Sequence, residues 1–199
     1  MARKGQTYST AIADSINTFL KEDDWKFSFD SECGRFIFNL GLSCKLKSVR
    51  YIVDVREKDY LIYVFSPLGP DKGDAATMKR TAEFLTRANY GLVFGNFEMD
   101  MHDGEIRYKT FVPCGGEAPC ADVIRRSIYV PAMMLDRYGD GLLKVLYSDI
   151  DPEKACSMCD NDLRDGADDD TEESGSTNDS TADILSRLSA HFSSDTEDE

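Results

Sequence analysis

The spacing of apolar and polar residues changes period several times along this chain, and each change marks an element. Over residues 7–22, Ile12, Ile16, Phe19 and Leu20 fall on one stripe with Ala11 and Ala13 beside it. That spacing predicts an amphipathic helix, with Thr7 or Ser9 placed to cap it. Trp25-Lys26-Phe27-Ser28-Phe29-Asp30 alternates as a strand does, Cys33-Gly34 reads as a turn, and residues 35–40 read as a second strand. Residues 49–55 (VRYIVDV) and 60–65 (YLIYVF) predict a third and a fourth. Both are apolar on their two faces, the pattern of strands shielded on both sides, so helices are expected over at least one face of the sheet. After a breaker-rich loop at 67–73, Asp74 caps a second helix to about Ala88, with Met78, Ala82, Leu85 and Ala88 at helical spacing.

The most informative stretch is 84–112, FLTRANYGLVFGNFEMDMHDGEIRYKTFV. Asn89-Tyr90-Gly91 reads as the helix exit, because Asn and Gly tolerate the left-handed backbone that closes a C-terminus. Two alternating runs follow, joined at Asp103-Gly104, a pair suited to a two-residue type I′ turn. That turn would set His102 opposite Glu105, Asp100 opposite Arg107 and Glu98 opposite Lys109. On the other face it would pair Met101 with Ile106, Met99 with Tyr108 and Phe97 with Thr110. Each matched pair contributes roughly 0.2–1 kcal/mol. Beyond a loop at 113–119, a stripe from Val123 to Leu146 predicts a third helix. Pro131 should kink it or divide it in two, with Gly139 and Gly141 as a second soft point. The order is therefore α-β-β-β-β-α-β-β-α, an α+β fold with an antiparallel sheet and flanking helices.

Charge divides the chain. Of the formal −14, −13 falls in residues 150–199 and only −1 in the first 149. This predicts one domain over 1–149 and an acidic disordered tail over 150–199, too poor in large apolar residues to offset its chain entropy. One island in that tail, Ile184, Leu185, Leu188 and Phe192, shares a helical face and marks a short helix at 181–192 as a candidate partner-binding segment. Net acidity argues against nucleic acid and anionic membrane surfaces as partners. With no apolar leader and no membrane-length run, the expected location is cytoplasmic, with the six cysteines reduced.

The words FLTRANYGLVFGNFEMDMHDGEIRYKTFV and IRRSIYVPAMMLDRY, in this element order, resemble the YbjN-type family of bacterial sensory transduction regulators. That family is similar in fold to the type III secretion chaperones. The resemblance covers roughly residues 7–147. Its motif positions here are Asn89, Tyr90, Gly91, Gly95, Asn96, Phe97, Glu98, Asp103 and Gly104, which it implies are fold-defining and not catalytic. It also implies a regulator or chaperone-like adaptor, often a homodimer, that works without a cofactor.

Reactive residues are few. Cys156-Ser-Met-Cys159 has the spacing of half a zinc site or of a redox pair, but Cys114 and Cys120 are a poor second half. His102 and His191 have no evident nucleophile beside them, and Glu98 and Asp100 read as carboxylates ion-paired across the hairpin. No phosphate loop or EF-hand pattern occurs. The expected function is a non-enzymatic protein-binding regulator or adaptor, with no catalytic, cofactor or metal residue. The alternative is a zinc-binding or thiol-redox protein using Cys156 and Cys159.

Overall fold

In a computed structural model, which describes residues 7–165, the chain is α+β, as its periodicity predicts. The strands are β1 (Phe27–Asp30), β2 (Arg35–Gly41), β3 (Ser48–Val55), β4 (Asp59–Phe65), β5 (Asn96–Met99) and β6 (Ile106–Pro113). They form one antiparallel sheet in the order β1-β2-β3-β4-β6-β5. The helices are α1 (Thr10–Glu22), α2 (Ala75–Asn89), α3 (Ala121–Tyr147) and α4 (Pro152–Asp165). Ser9 caps α1 by accepting from the Ile12 N–H at 3.3 Å. Asp74 caps α2, accepting from the N–H and the hydroxyl of Thr77 at 3.0 and 2.6 Å.

The core lies between the helices and one face of the sheet. Phe36, Phe38, Tyr51, Val53, Tyr60, Ile62, Val64, Ile106 and Tyr108 point into it, and each large side chain so buried contributes about 1.5–3 kcal/mol. Two of the buried tyrosines carry their hydroxyls to partners on α3, and Tyr108 donates to the Phe94 carbonyl. Tyr51 donates to the Ile128 carbonyl at 2.8 Å, and the Tyr60 hydroxyl lies 2.9 Å from that of Ser127.

The structure departs from the sequence reading in three places and, in α3, excludes one of its two alternatives. The β5–β6 register is Phe97↔Tyr108, Glu98↔Arg107 and Met99↔Ile106, two residues away from the register of a two-residue turn. The loop is wider: the Asp100 N–H donates to the Glu105 carbonyl at 2.9 Å and the Gly104 N–H to the Asp100 carbonyl at 2.8 Å. A contact distant in sequence goes with this choice. Gly104, at φ +83°, is so close to the 66–70 loop that a Cβ on it would lie 2.2 Å from the Pro70 carbonyl oxygen. Because side chains alternate with period two, the slip changes partners without exchanging faces.

The α2 exit is not left-handed, since neither Asn89 nor Gly91 has positive φ and Tyr90 is right-handed. Helix α3 runs without division through Pro131, which is buried. Finally, the boundary expected at residue 149 falls inside the packed structure. Helix α4 lies on α2 and α3 and buries Ala155, Cys156 and Cys159, so residues 152–165 are helix where tail was expected. Its buried stripe is made of Pro152 and small side chains, and Glu153 and Asp160 are exposed.

Candidate interaction surface

Because helices pack on one face of the sheet, every second residue of its strands points the other way. The register sets these outward side chains in rows. One row runs Ile37, Ile52, Tyr63, Lys109, Asn96; a second runs Arg35, Asp54, Leu61, Phe111; a third runs Asn39, Arg50, Phe65, Arg107, Glu98. Ile37, Ile52, Leu61, Tyr63 and Phe65 are half-buried, Phe111 is 49% exposed, and none of the described helices lies over them. The apolar second face of VRYIVDV and YLIYVF is thus open among the described residues. The sequence showed the signal; what it could not show was whether anything covered that side.

Charged groups frame this band and hold its aromatic side chains. Arg35 pairs with Asp54 at 3.0 Å. Arg107 lies over the Tyr63 ring, 4.7 Å from its centroid, and pairs with Glu98 at 2.8 Å. Lys109 pairs with the other oxygen of the same carboxylate. Burial raises the Glu98 pKa, but the bonds from Lys109 and Arg107 outweigh it and hold the carboxyl below its ordinary value. Two cations therefore share one anion. Arg50, exposed on the same side, has no ion pair among the described residues, so this half of the face carries surplus positive charge.

The residues marked in the hairpin stretch build the edge of the sheet. Asn89 holds both backbone groups of Phe97: its Oδ1 accepts from the Phe97 N–H at 2.7 Å, and its Nδ2 donates to the Phe97 carbonyl at 2.9 Å. A side-chain amide thereby takes the place of a neighbouring strand on β5. Asn96 Nδ2 reaches the same carbonyl at 3.2 Å. Gly95, at φ +81°, lies where a Cβ would sit 2.5 Å from the Tyr108 ring. Phe97 packs edge-on against Tyr108 and Tyr138. Tyr90 is almost fully exposed, and Gly91 has open space around it. Asp103 accepts from the Glu105 N–H at 3.0 Å and holds the loop together.

The other candidates fall elsewhere. Asp100 accepts from the His102 N–H at 2.8 Å and stabilises the turn, not an ion pair with Arg107. Cys156 and Cys159 face inward from α4. A Cβ on Gly141 would lie 2.4 Å from the Cys159 sulfur, and burial raises the Cys156 thiol pKa. Among the described residues no group of three or more His, Cys, Asp or Glu is arranged to hold a metal. Ile184, Leu185, Leu188, Phe192 and His191 lie outside the described residues. No helix among the described residues is long and apolar enough to cross a membrane.

A family model described as "Putative bacterial sensory transduction regulator" matches residues 13–144. The chain belongs to this family, YbjN. The match takes in all six strands, helix α2, and nearly all of α1 and α3, together with the open face and the Asn89 clamp; α4 follows it. The family description is that of a regulator, which supports a regulatory role and names no reaction. A search of the curated proteins finds no match.

Proposed function

We propose that this YbjN protein is a non-enzymatic regulator or chaperone-like adaptor of the bacterial cytoplasm that holds another protein against the open face of its sheet. The observation that carries this reading is the band of Ile37, Ile52, Leu61, Tyr63, Phe65 and Phe111, flanked by Arg107 and Lys109, which share the Glu98 carboxylate, and by Arg50. Such a face suits an amphipathic segment whose apolar side chains enter the band and whose acidic flanks meet Arg50, Arg107 and Lys109. A second copy of the chain is a competing occupant, in keeping with the homodimer that the family resemblance implies.

The test is photo-crosslinking in the native host with p-benzoylphenylalanine in place of Tyr63, on the open face, or of Tyr147, exposed at the end of α3. A partner captured from position 63 and not from 147 supports the reading. Capture from 147 alone, or equally from both, overturns it.

A further inference from the structure

We propose that residues 181–192 of this chain occupy the open face of its own sheet and compete there with the external partner. The inference rests on the reading of that face as a binding surface and adds its regulation.

Three observations support it. The first is complementarity. The face offers an apolar band with surplus positive charge from Arg50, Arg107 and Lys109. Residues 166–199 carry eleven acidic side chains against Arg187, and within them Ile184, Leu185, Leu188 and Phe192 recur at helical spacing. The band and the segment each supply what the other lacks.

The second is where the chain leaves the fold. The later turns of α4 are tied to α3 by Arg137, which pairs with Asp160 at 2.7 Å. On α3, Asp136 and Asp140 accept from the backbone N–H groups of Cys44 and Lys45 in the β2–β3 loop, at 2.7 and 2.9 Å. That loop joins the strands at the end of the sheet where Arg50 lies opposite Phe65. Lys45, Lys47 and Arg50 are exposed there, without ion pairs among the described residues. The acidic run Asp168-Asp169-Asp170, with Glu172 and Glu173, thus begins a few residues beyond a helix that packs against the same stretch of α3 as this basic loop, from its other side.

The third is reach. From Asp165 to Ile184 is nineteen residues, which extend to about 60 Å. A compact domain of this size has a radius of gyration of about 15 Å. The segment can therefore reach any part of the surface, at an effective concentration on the order of 1 mM. An external partner needs no such concentration if it makes more contacts, so the tail would act as a threshold and not a block.

The test uses the full chain with p-benzoylphenylalanine at Tyr63, irradiated as a mixture of ¹⁴N- and ¹⁵N-labelled protein. The expected product is a cross-link within one chain, from position 63 to a peptide in 181–192, lost in Leu185→Asp/Leu188→Asp. Mixed-isotope products identify a second copy as the occupant and overturn the inference. As a readout free of the photoprobe, amide spectra of the wild-type chain and of Leu185→Asp/Leu188→Asp should differ at Ile37, Ile52, Leu61, Phe65 and Phe111. Identical spectra at these positions also overturn it. Partner capture from position 63 should rise about tenfold in the double variant, if the segment's own Kd is ~0.1 mM. Partner capture without any tail cross-link leaves the face a binding surface and refutes its occupation in cis. A tail cross-link with no partner captured in either variant does the reverse.

Discussion

Replacing Asn89 by Ala removes the amide that holds both backbone groups of Phe97. Phe97 is only 4% exposed, so its N–H is left without a partner away from water, at a cost of about 1–3 kcal/mol. Its carbonyl loses the stronger of two donors and keeps Asn96 at 3.2 Å, so the second loss is smaller. The sum is about 2–3 kcal/mol, which for a chain of this size lowers the thermal midpoint by about 5–10 °C. Urea unfolding of the full chain measures it, with the slope compared to confirm that only stability has changed. Tyr90→Ala is the control, since Tyr90 is 96% exposed one residue away and its loss should stay within about 0.5 kcal/mol.

Asn89→Asp separates the two bonds. Its carboxylate can still accept from the Phe97 N–H but sets a second oxygen against the Phe97 carbonyl, where Asn89 has a donor. Near neutrality it should therefore destabilise. Relative to wild type at the same pH the defect should shrink in acid, as the carboxyl gains a proton to donate. If Asn89→Ala stays within 0.5 kcal/mol of wild type with an unchanged slope, the clamp does not secure β5, and Asn89 matters only as a helix-ending residue.

Three further perturbations follow from the same structure. Gly104→Val forces a β-branched residue to φ +83° and sets its Cβ against the Pro70 carbonyl oxygen, so calorimetry should show a loss of about 3 kcal/mol or more; a wild-type midpoint would mean that the 66–70 loop gives way freely. Truncation after Asp149 removes α4, with the buried Ala155, Cys156 and Cys159 and the Arg137–Asp160 pair, and should destabilise by on the order of 3 kcal/mol; a midpoint within 2 °C of wild type, about the smallest shift 1 kcal/mol gives, would show α4 to be dispensable. Glu98 has a folded pKa below its unfolded value, so its contribution is present above the unfolded pKa and is lost as pH falls through the folded one. The stability difference between wild type and Glu98→Gln should accordingly narrow from pH 6 to pH 3, measured by urea unfolding, and a constant difference would detach it from the Lys109 and Arg107 bonds.

What could be read from the sequence was set by local physics, and what could not was set by contacts between distant segments. Ser9 and Asp74 cap helices because a side-chain oxygen three residues ahead of a free N–H satisfies it wherever the helix goes. The hairpin faces were legible because alternation is local, whereas its register depended on how closely Pro70 meets Gly104. Asn89 was recognised as a helix-ending residue, but its grip on Phe97, eight residues on, has no local signature. Helix α4 was missed for a compositional reason: Ala155, Cys156 and Cys159 recur at helical spacing but carry little hydrophobic weight among acidic neighbours. The open face was visible as two strands apolar on both sides, a pattern that records exclusion from water without recording by what.

The residues that seemed to weaken α3 explain why the chain past the family match stays attached to it. Gly139 and Gly141 read as soft points, yet both are buried in a continuous helix. A Cβ on Gly139 would lie 2.6 Å from the Cys44 sulfur, and one on Gly141 would lie 2.4 Å from the Cys159 sulfur and 3.0 Å from Phe84. These positions are small because other segments cross there, and a larger side chain would displace the β2–β3 loop from one side of α3 or α4 from the other. Asp136, Arg137 and Asp140 add polar ties beside the same crossings. Glycine's helix-weakening tendency of about 1 kcal/mol relative to Ala is thus offset by packing that Ala could not permit. One turn of α3, inside residues 13–144, holds both the basic end of the sheet and the helix from which the acidic segment departs. The packed core therefore fixes where the acidic segment begins relative to the basic loop.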